Sequence, residues 1–120
     1  CALWSTGGRW KPDMIDWTKV NELVEDVGPD GFEEVLGLFL QEVETALLTI
    51  ALAEDLEAAL HFVKGCALNL GFADFARLCA EGEALAARGK PDQVDLEALH
   101  QTYRQSRDLF LAEVRDRIAA

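Results

Sequence analysis

Apolar residues recur every three or four positions through most of this chain, and that period limits the fold more than any other feature. The clearest example is the apolar face of residues 30–50, which consists of Phe32, Leu36, Phe39, Val43, Leu47 and Ile50. No segment alternates apolar and polar residues with the period of two that a half-buried strand needs. The sequence therefore predicts an all-α protein.

Glycine, proline and aspartate divide the periodic sequence into helices. Asp16 and Asp30 can each cap a helix, and the Gly-Pro-Asp-Gly run of residues 28–31 is expected to end the first one. Gly71 ends a later helix in the same way. The predicted helices cover residues 16–27, 30 to about 50, 55–70, 73–88 and 92 onward. Four long amphipathic helices with short connections predict an antiparallel four-helix bundle with a short N-terminal capping helix.

Composition narrows the class of protein. The chain has 120 residues, of which half are hydrophobic, and this suits one domain with its own core. Acids outnumber bases 22 to 11, and the net charge of -11 disfavours binding to nucleic acid or to anionic lipid. We expect no apolar run that could span a bilayer, which needs roughly 20 residues.

The ends of the chain and its cysteines suggest the setting of the domain. Residues 1–15 show no regular period and are expected to be an appended leader or a disordered arm, so the predicted domain covers residues 16–120. Cys1, Cys66 and Cys79 form no C-x-x-C pair and have no nearby histidine to complete a zinc site. A reduced, cytoplasmic protein without a bound metal is the simplest expectation.

The helix predicted over residues 55–70 carries an unusual outer face. Its apolar stripe consists of Leu56, Ala59, Leu60, Val63, Cys66, Ala67 and Leu70. His61 lies opposite this stripe and is expected to point into solvent, near Gly65 and Leu68. A glycine inside a helix costs about 1 kcal/mol relative to alanine. The position of Gly65 therefore indicates a function that needs a missing side chain beside His61.

Lys64 adds a positive charge to the same face. Between Lys19 and Arg77 the sequence holds twelve acids, and Lys64 is the single base. An ammonium three residues after His61 lies within reach of a group bound to the imidazole, and it would attract a phosphoryl group. Two simpler interpretations stay open: His61 is an ordinary surface residue, or Lys64 pairs with Glu54 or Glu57.

Residues 61–71, which read HFVKGCALNLG, resemble the signature of histidine-containing phosphotransfer (HPt) domains. The similarity extends over most of residues 16–118, and the motif is also similar to that of the phosphorylated N-terminal domain of chemotaxis histidine kinases. Cys66 stands where the family often has serine, and Leu60 stands where it often has alanine. Both positions lie on the apolar stripe, so we expect them to change packing and not chemistry.

The resemblance implies a role for each residue near the histidine. His61 would be phosphorylated, Lys64 would support the phosphoryl group, and Gly65 would give clearance to an incoming receiver domain. The reaction would be reversible transfer of a phosphoryl group between His61 and an aspartate in the receiver domain of a response regulator or a hybrid histidine kinase, with no cofactor bound. A monomer is the default expectation for a bundle with this much surface charge. Mg²⁺ would reside on the receiver, and the domain itself would not use ATP, since it has no nucleotide-binding loop and no general base near His61. The docking surface is predicted to consist of Glu57, Ala58, Gly65, Leu68 and Phe72.

Two other functions compete with this one. Glu97 and His100 have the ExxH spacing of di-iron bundles, but those sites need a second such motif, which the sequence lacks. The stronger rival is a helical interaction module that binds a partner through the His61 face without being phosphorylated. Acid-labile phosphate on His61 would separate the two.

Overall fold

The computed structural model describes residues 14–118, including all their side chains except those of residues 29 and 115–118. Its helices are α1 (Trp17–Thr49), α2 (Leu56–Leu70), α3 (Ala73–Ala87) and α4 (Leu96–Ile118). Short 3₁₀ turns, Ile50–Leu52 and Pro91–Gln93, precede α2 and α4. Residues 14–118 contain no β-strand, so the predicted all-α class is confirmed.

Helix α1 combines the first two predicted helices. Gly28 alone leaves the helical conformation, with φ 81° and ψ 157°, and the helix resumes directly after it. Proline suits the first position of a helix because its fixed φ is already helical and its missing N–H would have no helical partner there. The predicted break between two helical segments is therefore present as a kink at Gly28, but Asp30 lies inside the second segment, and the prediction that it caps that segment was wrong.

Aspartate caps fix the starts of α1, α2 and α4. The Asp16 carboxylate accepts a hydrogen bond from the backbone N–H of Lys19 at 3.2 Å, and Asp55 accepts one from Ala58 at 3.0 Å. Helix α4 begins later than predicted, because the 3₁₀ turn at Pro91–Gln93 takes up the expected start at Asp92. Its cap is Asp95, whose carboxylate accepts from the backbone N–H of Ala98 at 3.0 Å.

The helices pack in a closed series around an aromatic core. Helix α2 contacts α1 and α3, while α4 contacts α3 and α1. Phe72 lies at the centre, with its ring centroid 5.5 Å from that of Phe110 and 6.2 Å from that of Tyr103. Phe72 is fully buried, so its predicted place on the docking surface was wrong. The reason is the turn at Gly71, which has φ 77° and reverses the chain inward after α2.

The segment before α1 belongs to the fold. Ile15 is buried and pairs with Phe72 in an isolated antiparallel bridge. The Asp16 N–H donates to the Gly71 carbonyl at 2.6 Å, and the Asp74 N–H donates to that of Met14 at 3.4 Å. Met14 and Ile15, which the sequence prediction assigned to the leader or arm, therefore belong to the fold. The rest of the predicted leader, residues 1–13, lies outside the described residues.

One part of the chain is more apolar than the sequence analysis expected. An 18-residue window within Asp30–Leu52 has a mean hydropathy of 1.7, enough by length and composition to cross a membrane. Core helices meet the same criterion, and 22% of this window is buried in the fold, including Val43 and Leu47.

Candidate functional site

His61 projects from the middle of α2 into solvent. Its side chain is 69% exposed, whereas Leu60 and Val63 on the opposite face are fully buried. Asp55 caps the start of α2 and Gly71 ends it, both as predicted. The direction of the imidazole then follows from the 3.6-residue period of the helix.

Glu83 of α3 contacts both polar residues of the α2 face. Its Oε2 lies 2.9 Å from His61 Nδ1, and its Oε1 lies 2.7 Å from Lys64 Nζ. The two helices approach closely at this level because Gly82 has no side chain. A Cβ on Gly82 would lie 3.0 Å from Leu60 Cδ1, which is tighter than ordinary contact. Lys64 thus pairs with Glu83 and not with Glu54 or Glu57.

The charge of Glu83 determines which nitrogen of the neutral His61 imidazole carries the proton. The hydrogen bond from Lys64, and then that from His61, lower the pKa of Glu83 against the opposing effect of burial. Glu83 is therefore ionised at neutral pH and can only accept hydrogen bonds. In the neutral imidazole, Nδ1 is then the protonated nitrogen that donates to Glu83, and the lone pair lies on Nε2.

The Glu83 carboxylate was not predicted from the sequence, in which no base appears near His61. Glu83 lies 22 residues further along the chain, and only the packing of α3 on α2 brings it to His61. The one sequence signal was Gly82, a small residue on the apolar face of α3, which indicates close packing against another helix.

The face around His61 is open. No atom lies within 4 Å of the place where a Cβ on Gly65 would be, and Leu68 is 51% exposed. Glu57 and Ala58, one turn before His61, are exposed as well. Four of the five predicted docking residues therefore share this surface, and Phe72 is the exception.

A groove between α1 and α2 adjoins His61, and the sequence analysis placed no α1 residue at the site. It consists of two depressions of about 550 and 410 Å³, and Leu38, Glu42 and Phe62 line both. His61 and Gly65 line the larger one. We call this feature the α1–α2 groove. Its sequence signal was Leu38 and Phe62, two large apolar residues outside the buried stripes of their helices, which are 57% and 47% exposed.

The comparison with protein families decides the identity. The family model described as Hpt domain matches residues 34–115, more than half of the chain. This chain belongs to the Hpt domain family. Hpt domains are phosphotransfer modules of two-component signalling and interact with receiver domains in phosphorelays. No curated protein and no solved structure matches the chain.

The matched range of this Hpt domain contains the whole arrangement around His61, including Glu83 and the α1–α2 groove. An exposed imidazole with a free Nε2 lone pair is a nucleophile, and a nearby ammonium can offset the charge of a phosphoryl group.

The other candidate groups of the Hpt domain show no comparable arrangement. Cys66 and Cys79 are buried free thiols, and burial raises the pKa of Cys79 to about 12. Within residues 14–118, no group of three His, Cys, Asp or Glu side chains lies close enough to hold a metal. His100 is half-buried on α4, beside the small depression between α4 and α1.

Proposed function

We propose that this Hpt domain carries a phosphoryl group on His61 Nε2 and exchanges it with a receiver-domain aspartate. The observation that carries the proposal is the 2.9 Å hydrogen bond from Nδ1 to the ionised Glu83. In the neutral ring this contact selects the tautomer with the proton on Nδ1, so the Nε2 lone pair is available on a side chain that is 69% exposed.

The transfer step follows from this tautomer. The Nε2 lone pair attacks the phosphorus of the aspartyl phosphate, so an N–P bond forms as the P–O bond to the aspartate breaks. The aspartate leaves as a carboxylate with the bonding electron pair, and no proton is taken up or released. Since Nδ1 keeps its proton, the phosphorylated ring is positively charged, and the Glu83 carboxylate stabilises that charge. The reverse step follows the same path.

The remaining groups assist the transfer. Lys64 is 26% exposed and lies beside His61, so its ammonium can turn from Glu83 to the phosphoryl oxygens. The α1–α2 groove and the surface formed by Glu57, Ala58, Gly65 and Leu68 provide the docking area. We expect Mg²⁺ to be held by the receiver, and the domain to act as a cytoplasmic monomer that does not use ATP. We further propose that its four helices form the antiparallel bundle of the sequence prediction.

The test uses the two histidines of the chain, His61 and His100. The protein is incubated with phosphorylated receiver domains, and the phosphorylated site is mapped by mass spectrometry under alkaline conditions. We expect His61→Gln to stay folded and take up no phosphate, while His100→Gln is labelled like the wild type. Phosphate on the His61→Gln protein would contradict the proposal. A wild type that binds receivers but is never labelled would support the interaction module instead.

A further inference from the structure

The α1–α2 groove places an apolar surface directly beside the reacting atom. Leu38 of α1 and Phe62 of α2 are about half exposed and face the same groove that His61 lines. A protein that delivers an aspartate to His61 must therefore cover part of this groove. The groove is the natural place for contacts that distinguish one receiver from another.

Glu42 is the only acid that lines the groove within the part of the chain that the structure describes. Like Leu38 and Phe62, it lines both depressions. No ion pair or side-chain hydrogen bond of Glu42 is found among the described residues. Its charge reaches the groove floor, because it adds to burial in raising the pKa of Cys66.

A carboxylate in that position affects partners differently according to their charge. Docking removes water from the centre of an interface, and a charge that loses its water without gaining a partner is strongly unfavourable. The binding of a receiver with only apolar residues opposite Glu42 is weakened, because the carboxylate loses its water and gains no partner. A receiver with a lysine or arginine at that place replaces the lost water with an ion pair. A penalty against the wrong partner is an effective source of specificity.

We infer that Glu42 selects the receiver domain, and that the cognate docking segment presents apolar side chains to Leu38 and Phe62 together with one lysine or arginine to Glu42. This inference rests on the proposed function, since it assumes that a receiver docks beside His61. The net charge of the domain attracts any basic protein, but Glu42 alone places a negative charge inside the apolar groove.

The experiment separates docking from chemistry. Phosphoramidate is a small phosphoryl donor that needs no docking surface, so it is used to load His61 in the wild type and in each variant. Rates of phosphoryl transfer are then measured from the loaded proteins to two groups of purified receiver domains. One group carries a basic residue in its docking segment, and the other group lacks one. The variants are Glu42→Leu and the control Glu33→Leu, which changes an exposed acid on the opposite side of α1.

We expect Glu42→Leu to load normally, to lose at least about tenfold in transfer to the basic receivers, and to gain in transfer to the others. Glu33→Leu should behave like the wild type toward both groups. Unchanged or faster transfer from Glu42→Leu to the basic receivers would overturn the inference and leave the proposed function intact. A wild type that phosphoramidate cannot phosphorylate on His61 would overturn both.

Discussion

Glu83 controls the chemistry of His61 from a different helix. One carboxylate oxygen holds the proton of Nδ1 and the other holds Lys64. We propose that this single side chain joins two functions: it keeps Nε2 available as the nucleophile, and it keeps near His61 the ammonium that offsets the charge of the phosphoryl group. Loss of the carboxylate should therefore change the imidazole before any phosphate arrives.

We predict that Glu83→Ala removes the preference for the Nδ1–H tautomer and slows phosphorylation of His61 by phosphoramidate about tenfold or more. Hydrogen bonds to charged groups contribute about 1.5–3 kcal/mol, and each 1.4 kcal/mol corresponds to a factor of ten. ¹⁵N NMR of the imidazole reports the tautomer. The control is Glu81→Ala, whose side chain is 64% exposed on the same helix. Wild-type ¹⁵N shifts in Glu83→Ala would show that Glu83 does not orient the ring.

Gly65 allows a separate prediction at the residue scale. Because no atom lies within 4 Å of an added Cβ, Gly65→Ala should stabilise the protein by about 1 kcal/mol through helix propensity alone. Gly65→Gln should also fold, but its longer side chain would obstruct a receiver, so transfer from a receiver slows while loading by phosphoramidate does not. Urea unfolding and transfer rates measure the two effects. An unchanged transfer rate in Gly65→Gln would refute the clearance argument.

At the scale of elements, the end of α2 depends on two features of Gly71. Its φ of 77° is unfavourable for any residue with a Cβ, and an added Cβ would lie 2.7 Å from the Asp16 carbonyl oxygen. Gly89 has the same φ, but nothing lies within 4 Å of its added Cβ. Substitutions at Gly71 and Gly89 therefore separate the cost of backbone strain from the cost of disturbing the contact between α2 and the start of α1.

We predict that Gly89→Ala costs about 1–2 kcal/mol of unfolding free energy, as expected for the left-handed conformation alone. Gly71→Ala should cost more, by at least about 1 kcal/mol, because the Asp16 backbone must move. Urea unfolding at constant m-value measures both. Equal losses would mean that the contact at Asp16 relaxes without cost.

The helix bounds show which signals a sequence carries by itself. Asp55 and Gly71 bound α2 as predicted, since a cap and a left-handed glycine act within a few residues. Asp92 and Asp95 offer equivalent caps, and the choice between them depends on the 3₁₀ turn at Pro91–Gln93. The orientation of His61 could be predicted from the helical period. The positions of Glu83 and Glu42 near His61 could not, because they depend on the packing of neighbouring helices. Phe72 was misplaced for the same reason, since the chain reversal after α2 buries it.

At the scale of the whole molecule, weak acids in the core make its stability depend on alkaline pH, and burial and then Glu42 raise the pKa of one of them, Cys66. Burial raises the pKa of Cys79 from 9.0 to about 12. Burial and the hydrogen bond to Glu44, 2.7 Å long, also raise the pKa of Tyr103 above its usual 10.0. Both groups therefore stay neutral in the folded protein at a pH where the unfolded chain has already lost their protons.

We predict that the free energy of unfolding is insensitive to these groups below pH 9 and falls above it. Each group that is protonated only in the folded state contributes a slope of about 1.4 kcal/mol per pH unit, beginning near pH 9 for Cys79 and near pH 10 for Tyr103. Urea unfolding between pH 7 and 11 measures the slope. Cys79→Ala should reduce the part that begins near pH 9, to which Cys66 also contributes, although the variant is less stable throughout. Parallel curves for wild type and variant would contradict the assignment.

The contacts at and before the start of α1 bear on where a shortened form of this domain can begin. The family match begins at residue 34, yet the Trp17 ring stacks on Phe110 at 5.5 Å and Ile15 covers Phe72. A recombinant fragment that starts at the matched boundary would leave the central aromatic rings exposed to water and would remove the backbone partner of Gly71. Truncation series intended to isolate the phosphotransfer unit should therefore begin no later than Met14.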